Sequence, residues 1–221
     1  MFERQTIPEI LLFLLPGLVA TLRIAGVVTL AGIGIGAVLG CLAAWSAAPL
    51  RGMLFALLTV ARGIPVLVQL YVVFFGLPAL GIALSASASA VVALGFFMSL
   101  TTMEIVRGGI AAVPRGQLAA ARALGLTAPQ SAIAIVLPQA LRLMLPNLVN
   151  QVVLIVKGTS IVSFVGVADV MLLAKESTER TQMGFETMGL VWLLYTALCL
   201  PLTIAGRHLQ RALDRRGYAT T

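Results

Sequence analysis

The sequence predicts an all-α integral membrane protein of about five transmembrane helices, on three observations. Of its 221 residues, 60% are hydrophobic and only 10% charged, whereas a soluble domain carries about 25% charged residues. The apolar residues fall in runs of the roughly 20 needed to cross the hydrocarbon core as a helix. The basic residues are concentrated in alternate loops, the asymmetry expected of a multi-pass chain.

The spans are taken in order. The first runs roughly from Gly17 to Trp45, the second from Met53 to Leu80, the third from Ala88 to Val113, the fourth from Leu141 to Val165 and the fifth from Met188 to Gly206. The start, MFERQTIPEI, is mixed in charge and leads into an apolar stretch longer than a signal peptide, so none is expected. The first loop carries Arg51, the third Arg115 and Arg122, and the tail Arg207, Arg211, Arg215 and Arg216, while the second has no basic residue and the fourth, 166–187, has Lys175 and Arg180 beside Asp169, Glu176, Glu179 and Glu186. The basic sides are cytoplasmic by the positive-inside rule. The N-terminus is therefore expected outside, the C-terminus inside, and the third loop in the cytoplasm. The net charge of +7 reports these loops rather than nucleic-acid binding. Cys41 and Cys199 lie in apolar runs without metal or disulfide spacing and read as packing residues.

Within the spans, AGIGIGAVLG (31–40) looks superficially like a dinucleotide loop but sits in a continuous apolar run. Gly32, Gly36 and Gly40 share one helix face, the pattern of close helix–helix packing. No P-loop is present, so the chain does not hydrolyse ATP through one. Gly63 and Pro65 interrupt the second span, either as a bent helix lining a pathway or as a packing kink with Arg62 reaching an interface.

Ionisable groups inside spans are costly and mark pathways or mutual pairs. Glu104 and Arg107, three residues apart, would hold a zwitterion's ammonium and carboxylate, or one another. Asn147, Asn150 and Gln151 share a face of the fourth span, followed by Lys157, Thr159 and Ser160. These either join helices or line a solute path. The candidate substrate-pathway residues are thus Glu104, Arg107, Asn150, Lys157, Thr159 and Ser160. In the third loop, Gln117 to Leu124 favours helix, Gly125 offers a stop and Thr127 starts a second short helix. Such an element either docks a cytoplasmic partner or lies passively on the membrane surface.

At this loop the sequence resembles the permease subunits of ABC importers, specifically the polar amino-acid uptake group of histidine, glutamine and arginine type. The importer hallmark appears as Ala119-Ala120-Ala121, then Gly125, then Ile135-x-Leu137-Pro138. The amino-acid group's segments appear as RGIPVLVQL…FGLP (62–78), EIVRGGI…VPRGQ (104–117), ARALGL, LPQALR…LPNLVNQ and KGTS (157–160). The resemblance covers about half the chain, in order. It implies type I importer architecture: a single permease domain over 1–221, with a cytoplasmic coupling helix between the third and fourth spans, in a segment of about 114–137. It implies a non-catalytic subunit of the bacterial inner membrane that moves amino acids by alternating access. The implied partners are a dimer of ATPase subunits carrying ATP and Mg, a second permease copy or homologue, an extracytoplasmic solute-binding protein, and membrane lipid. The ATPase-docking residues it implies are Gln117, Ala119, Ala120, Ala121, Arg122, Gly125, Leu126 and Thr127. Three positions depart from the family pattern: Ala119 where a Glu is usual, Gly158 after the lysine, and Asp169 in place of Glu. The competing class is a standalone secondary transporter or channel using Glu104, Arg107 and Lys157 as a relay.

Overall fold

The computed structural model describes residues 6–213, and these contain helices and turns without a strand. Arg215 and Arg216 of the basic tail lie outside them. The long helices are α1 (Ile7–Trp45), α2 (Ala48–Gly63), α4 (Ala86–Ala111), α7 (Leu137–Gly158) and α9 (Gly184–Leu213). Shorter helices are α3 (Val66–Tyr71), α5 (Arg115–Ala123), α6 (Ala128–Ser131) and α8 (Val170–Thr181).

Four spans are continuous helices and the fifth is a broken pair. α1 begins ten residues before the expected boundary, because Pro8 sits in the first turn and Thr6 with Glu9 forms a capping box. The span expected from Met53 to Leu80 is broken where Gly63 and Pro65 were expected to interrupt it. Its halves, Ala48–Gly63 and Val66–Leu80, meet at 101°. Pro65 has no N–H, so the carbonyl of Ala61 loses its helical donor. Gln69 Nε2 replaces it, donating to Ala61 O at 2.7 Å and to Ile64 O at 2.8 Å. The second half then unwinds through a π turn, Val72–Gly76, and a 3₁₀ turn, Leu77–Leu80, ending at Gly81 with φ 81°.

Glycines set how the helices meet. A Cβ on Gly32 would lie 2.2 Å from Met98 Cγ, one on Gly36 2.6 Å from Ser99 O, and one on Gly40 2.5 Å from Val106 Cβ. The expected glycine face is therefore the α1–α4 contact. Both numberings rise together along it, so α1 and α4 run parallel. α7 runs antiparallel to α4: Gly158 lies over Leu94 and Gly109 over Met144, with Gln151 Nε2 donating to Thr101 Oγ1 at 2.6 Å between them. Gly206 of α9 packs on Val149, and Lys157 and Cys199 line one cavity, so α9 is antiparallel to α7. Two parallel helices need one return crossing between them, so the broken pair counts as a span. The described residues thus make five crossings, and α1 starts on the opposite face from the end of α9.

Two expectations about the loops are corrected. The second short helix after Gly125 is not separate. α6 continues through a π turn, Ala132–Val136, into α7, and one helix runs from Ala128 to Val165. The segment 166–187, read as a loop, contains α8, capped by Asp169 Oδ1 accepting from Leu172 N at 2.9 Å. α8 packs between α1 and α9, burying Val170 and Ala174 with Ile10, Leu14 and Val191.

Candidate functional site

Two groups of polar residues lie at opposite ends of the bundle. At the end carrying α5, Glu104 and Arg107 face each other on the last turns of α4. Arg107 Nη2 donates to Glu104 Oε1 at 2.8 Å and Nε to Oε2 at 3.1 Å, a two-pronged pair. The guanidinium lies over the Phe55 ring, 4.9 Å from its centre. It also lines a small cavity of about 230 Å³ with Arg51. Of the two readings open for this pair, a zwitterion clamp or mutual neutralisation, the geometry is that of mutual neutralisation.

At the other end, Lys157 lines a cavity of about 390 Å³ between α7 and α9 with Trp192, Tyr195, Thr196, Cys199 and Thr203. No described carboxylate forms an ion pair with it. A single ammonium among hydroxyls is suited to holding a carboxylate. Thr159 and Ser160 do not join it. Their hydroxyls donate to their own helix, Thr159 Oγ1 to Val156 O at 2.8 Å and Ser160 Oγ to Lys157 O at 2.9 Å, where α7 tightens into a 3₁₀ turn, Thr159–Val165. Asn150 is exposed on α7, while its neighbour Gln151 is buried.

The expected pathway residues therefore do not form one site. Gly158 lies beside Leu94, ten residues before Glu104 on α4, a distance of about 15 Å at 1.5 Å per residue.

The third loop is a compact hook. α5 is closed by Gly125 at φ 79°, with the Leu126 N–H donating back to Ala121 O at 3.1 Å. Only glycine enters this conformation without cost. Thr127 then caps the long helix, its N–H donating to Gln130 Oε1 at 2.8 Å. Gln117, Ala119 and Ala120 are exposed on α5, beside Leu124 at 81%. Ala121 is turned into the bundle, and Leu126 is half-buried. Arg122 is exposed but lies along a cavity on another side of α5.

Sequence reasoning missed the structural roles of two residues. Gln69 bridges the broken span; a Gln four residues after a proline in an apolar run was its signal. Asp169 is fully buried as a helix cap with Oδ2 unpartnered. Burial pushes its carboxyl up to about 6, against hydrogen bonds from its own cap and the charge of Lys175. Among the described residues no group of three or more His, Cys, Asp or Glu side chains is placed to hold a metal ion.

The family of binding-protein-dependent transport system inner membrane components matches residues 32–217. The chain belongs to this family. The permease is 35% identical over 209 residues to the arginine transport system permease protein ArtQ of Bacillus subtilis (strain 168), covering 94% of the chain and 95% of the relative. It is 34% identical over 218 residues to the glutamate/aspartate import permease protein GltK of Escherichia coli O157:H7, covering 95% and 97%. Its fold superposes on a crystal structure of an amino acid ABC transporter with histidines at TM-score 0.79 and 30% identity, covering 92% of the permease and 94% of that chain. The resemblance read from the hallmark spacing is thus correct, as are the all-α class and its architecture. The permease is a membrane-spanning subunit of the ABC-transporter class.

Proposed function

We propose that the permease forms the translocation path of an ATP-driven amino-acid importer, with ATP hydrolysed on separate subunits that dock at α5. The observation that carries this reading is the union of the hook with a span: α5 is tied by Gly125 and the Thr127 cap to a helix that continues from Ala128 to Val165. Pressure on the exposed Gln117–Ala120–Leu124 surface passes along that helix to Lys157. Closure of two ATPase subunits then biases the spans between outward- and inward-open arrangements. The relatives' printed substrates support amino acids as the solute class. Lys157 receives the solute's carboxylate, and a second permease copy or homologue completes the path. The hook faces the cytoplasm, in keeping with Arg115 and Arg122 beside it. A solute-binding protein delivers from the other side.

The relay reading loses its basis where Glu104 and Arg107 neutralise each other, far from Lys157. The deciding experiment is uptake by proteoliposomes containing the permease, its ATPase subunit and its binding protein. Uptake is expected only with ATP and the ATPase subunit present. Uptake driven by an ion gradient without the ATPase subunit would overturn the proposal.

A further inference from the structure

Between the ends of α1 and α4, α5 and the start of the long helix is a cavity of about 460 Å³. Its walls include Trp45, Val113, Pro114 and Leu118, with Arg115 and Arg122 as its charged groups. Arg115, Leu118 and Arg122 are spaced i, i+3, i+7 and share one face of α5. Gln117, Ala120 and Leu124 follow the same spacing two residues on, roughly opposite. No described carboxylate pairs with either arginine. Trp45, 52% exposed, also borders a second cavity of about 500 Å³ lined by Ala37, Val38, Cys41 and Leu42 on α1. From Trp45 back to Ala37, that groove runs about 12 Å into the span. Two guanidiniums without a described carboxylate partner therefore sit at the end of a membrane span, and an open apolar hollow along α1 adjoins them at Trp45. A tryptophan stands at the boundary, where such rings concentrate in membrane proteins.

We propose that this cavity binds the headgroup of an anionic phospholipid, with one acyl chain in the α1 groove. Guanidiniums grip phosphate oxygens in a two-pronged manner, and basic pockets between spans suit anionic headgroups. A carboxylate from a docked soluble subunit fits the arginines but leaves the groove empty. The inference requires only that the helices cross a bilayer, and so stands apart from the transported solute.

The test uses the permease assembled with its ATPase subunit, in nanodiscs of phosphatidylcholine and phosphatidylglycerol in equal parts. After transfer to detergent, retained lipid is counted by mass spectrometry. Retention of phosphatidylglycerol over phosphatidylcholine is expected. Arg115→Gln with Arg122→Gln should lower it about 25-fold, two basic contacts each contributing about fivefold. Val38→Trp, which fills the groove without changing charge, should also lower it and serves if the double variant fails to assemble. Equal retention by wild type and Val38→Trp would overturn the proposal. So would full displacement of the lipid by excess inorganic phosphate. Loss of the ATPase subunit from the arginine variant with lipid retention unchanged would instead assign the cavity to a protein carboxylate.

Discussion

Gln69 donates to the carbonyl of Ala61, the group that Pro65 leaves without a helical partner. It makes a 101° break compatible with a span. Gln69→Leu leaves that carbonyl and that of Ile64 unsatisfied, at about 1–3 kcal/mol for a buried group. A melting temperature lowered by several degrees in detergent is expected, with Gln69→Glu not restoring it because a carboxylate has no N–H. An unchanged melting curve for Gln69→Leu would show that the break is held by other contacts.

The glycine contact separates two otherwise similar substitutions. Gly36→Val meets the backbone oxygen of Ser99, which cannot move aside, whereas Gly34 has nothing within 4 Å. Overpacking costs about 1–3 kcal/mol. Folded yield by size-exclusion chromatography should fall sharply for Gly36→Val and stay near wild type for Gly34→Val.

Asp169 confers a pH dependence with a definite sign. Its folded carboxyl keeps a proton up to about pH 6, against an ordinary value of 3.8. Between these values the folded state binds more protons than the unfolded one, so stability falls as pH rises across the window and is level above it. The span corresponds to at most about 3 kcal/mol. Thermal melts from pH 4 to 7 should show this decline in the wild type and lose it in Asp169→Asn, which keeps a capping oxygen. A wild-type stability that rises from pH 4 to 6 would contradict the assignment.

Lys157 and Arg107 should fail differently. Lys157→Met is expected to cut uptake about tenfold or more while the complex assembles normally. Arg107→Met leaves Glu104 without its partner and should lower the melting temperature, with the exchange Glu104→Arg and Arg107→Glu recovering part of the loss. Wild-type uptake by Lys157→Met would remove Lys157 from the path.

Gly125 offers a test of the hook. At φ 79°, a side chain costs about 1–2 kcal/mol. Gly125→Val should weaken retention of the ATPase subunit during purification. Gly52→Val, in open space on α2, is the matched control.

Much of this was legible in the residues. The Gly32–Gly36–Gly40 face, the Gly125 stop and the Thr127 start rest on local rules of size and backbone freedom, and they hold. The break in the second span was signalled by Gly63 and Pro65, but its angle was not, because hydropathy ignores direction and a helix turning by 101° stays equally apolar. The join between α6 and α7 was hidden because the start at Thr127 was read as a short helix apart from the span expected from Leu141. Pro138 crowds the carbonyl of Ala134, and the π turn at Ala132–Val136 absorbs the misfit within a continuous helix. α8 was missed because its charged residues resemble loop composition, while its buried side is only Val170, Ala174, Ser177 and Thr181. The Lys157 cavity depends on α9, whose register against α7 no local pattern encodes.

The helix from Ala128 to Val165 has 38 residues and is about 57 Å long, against about 40–45 Å for a bilayer with its headgroups. It is a lever longer than the bilayer is thick. Pivoting by 10° about its middle, it would carry each end through about 5 Å. A modest rotation at the hook would thus become a sideways shift of about 3 Å at Lys157, about 16 Å from that middle.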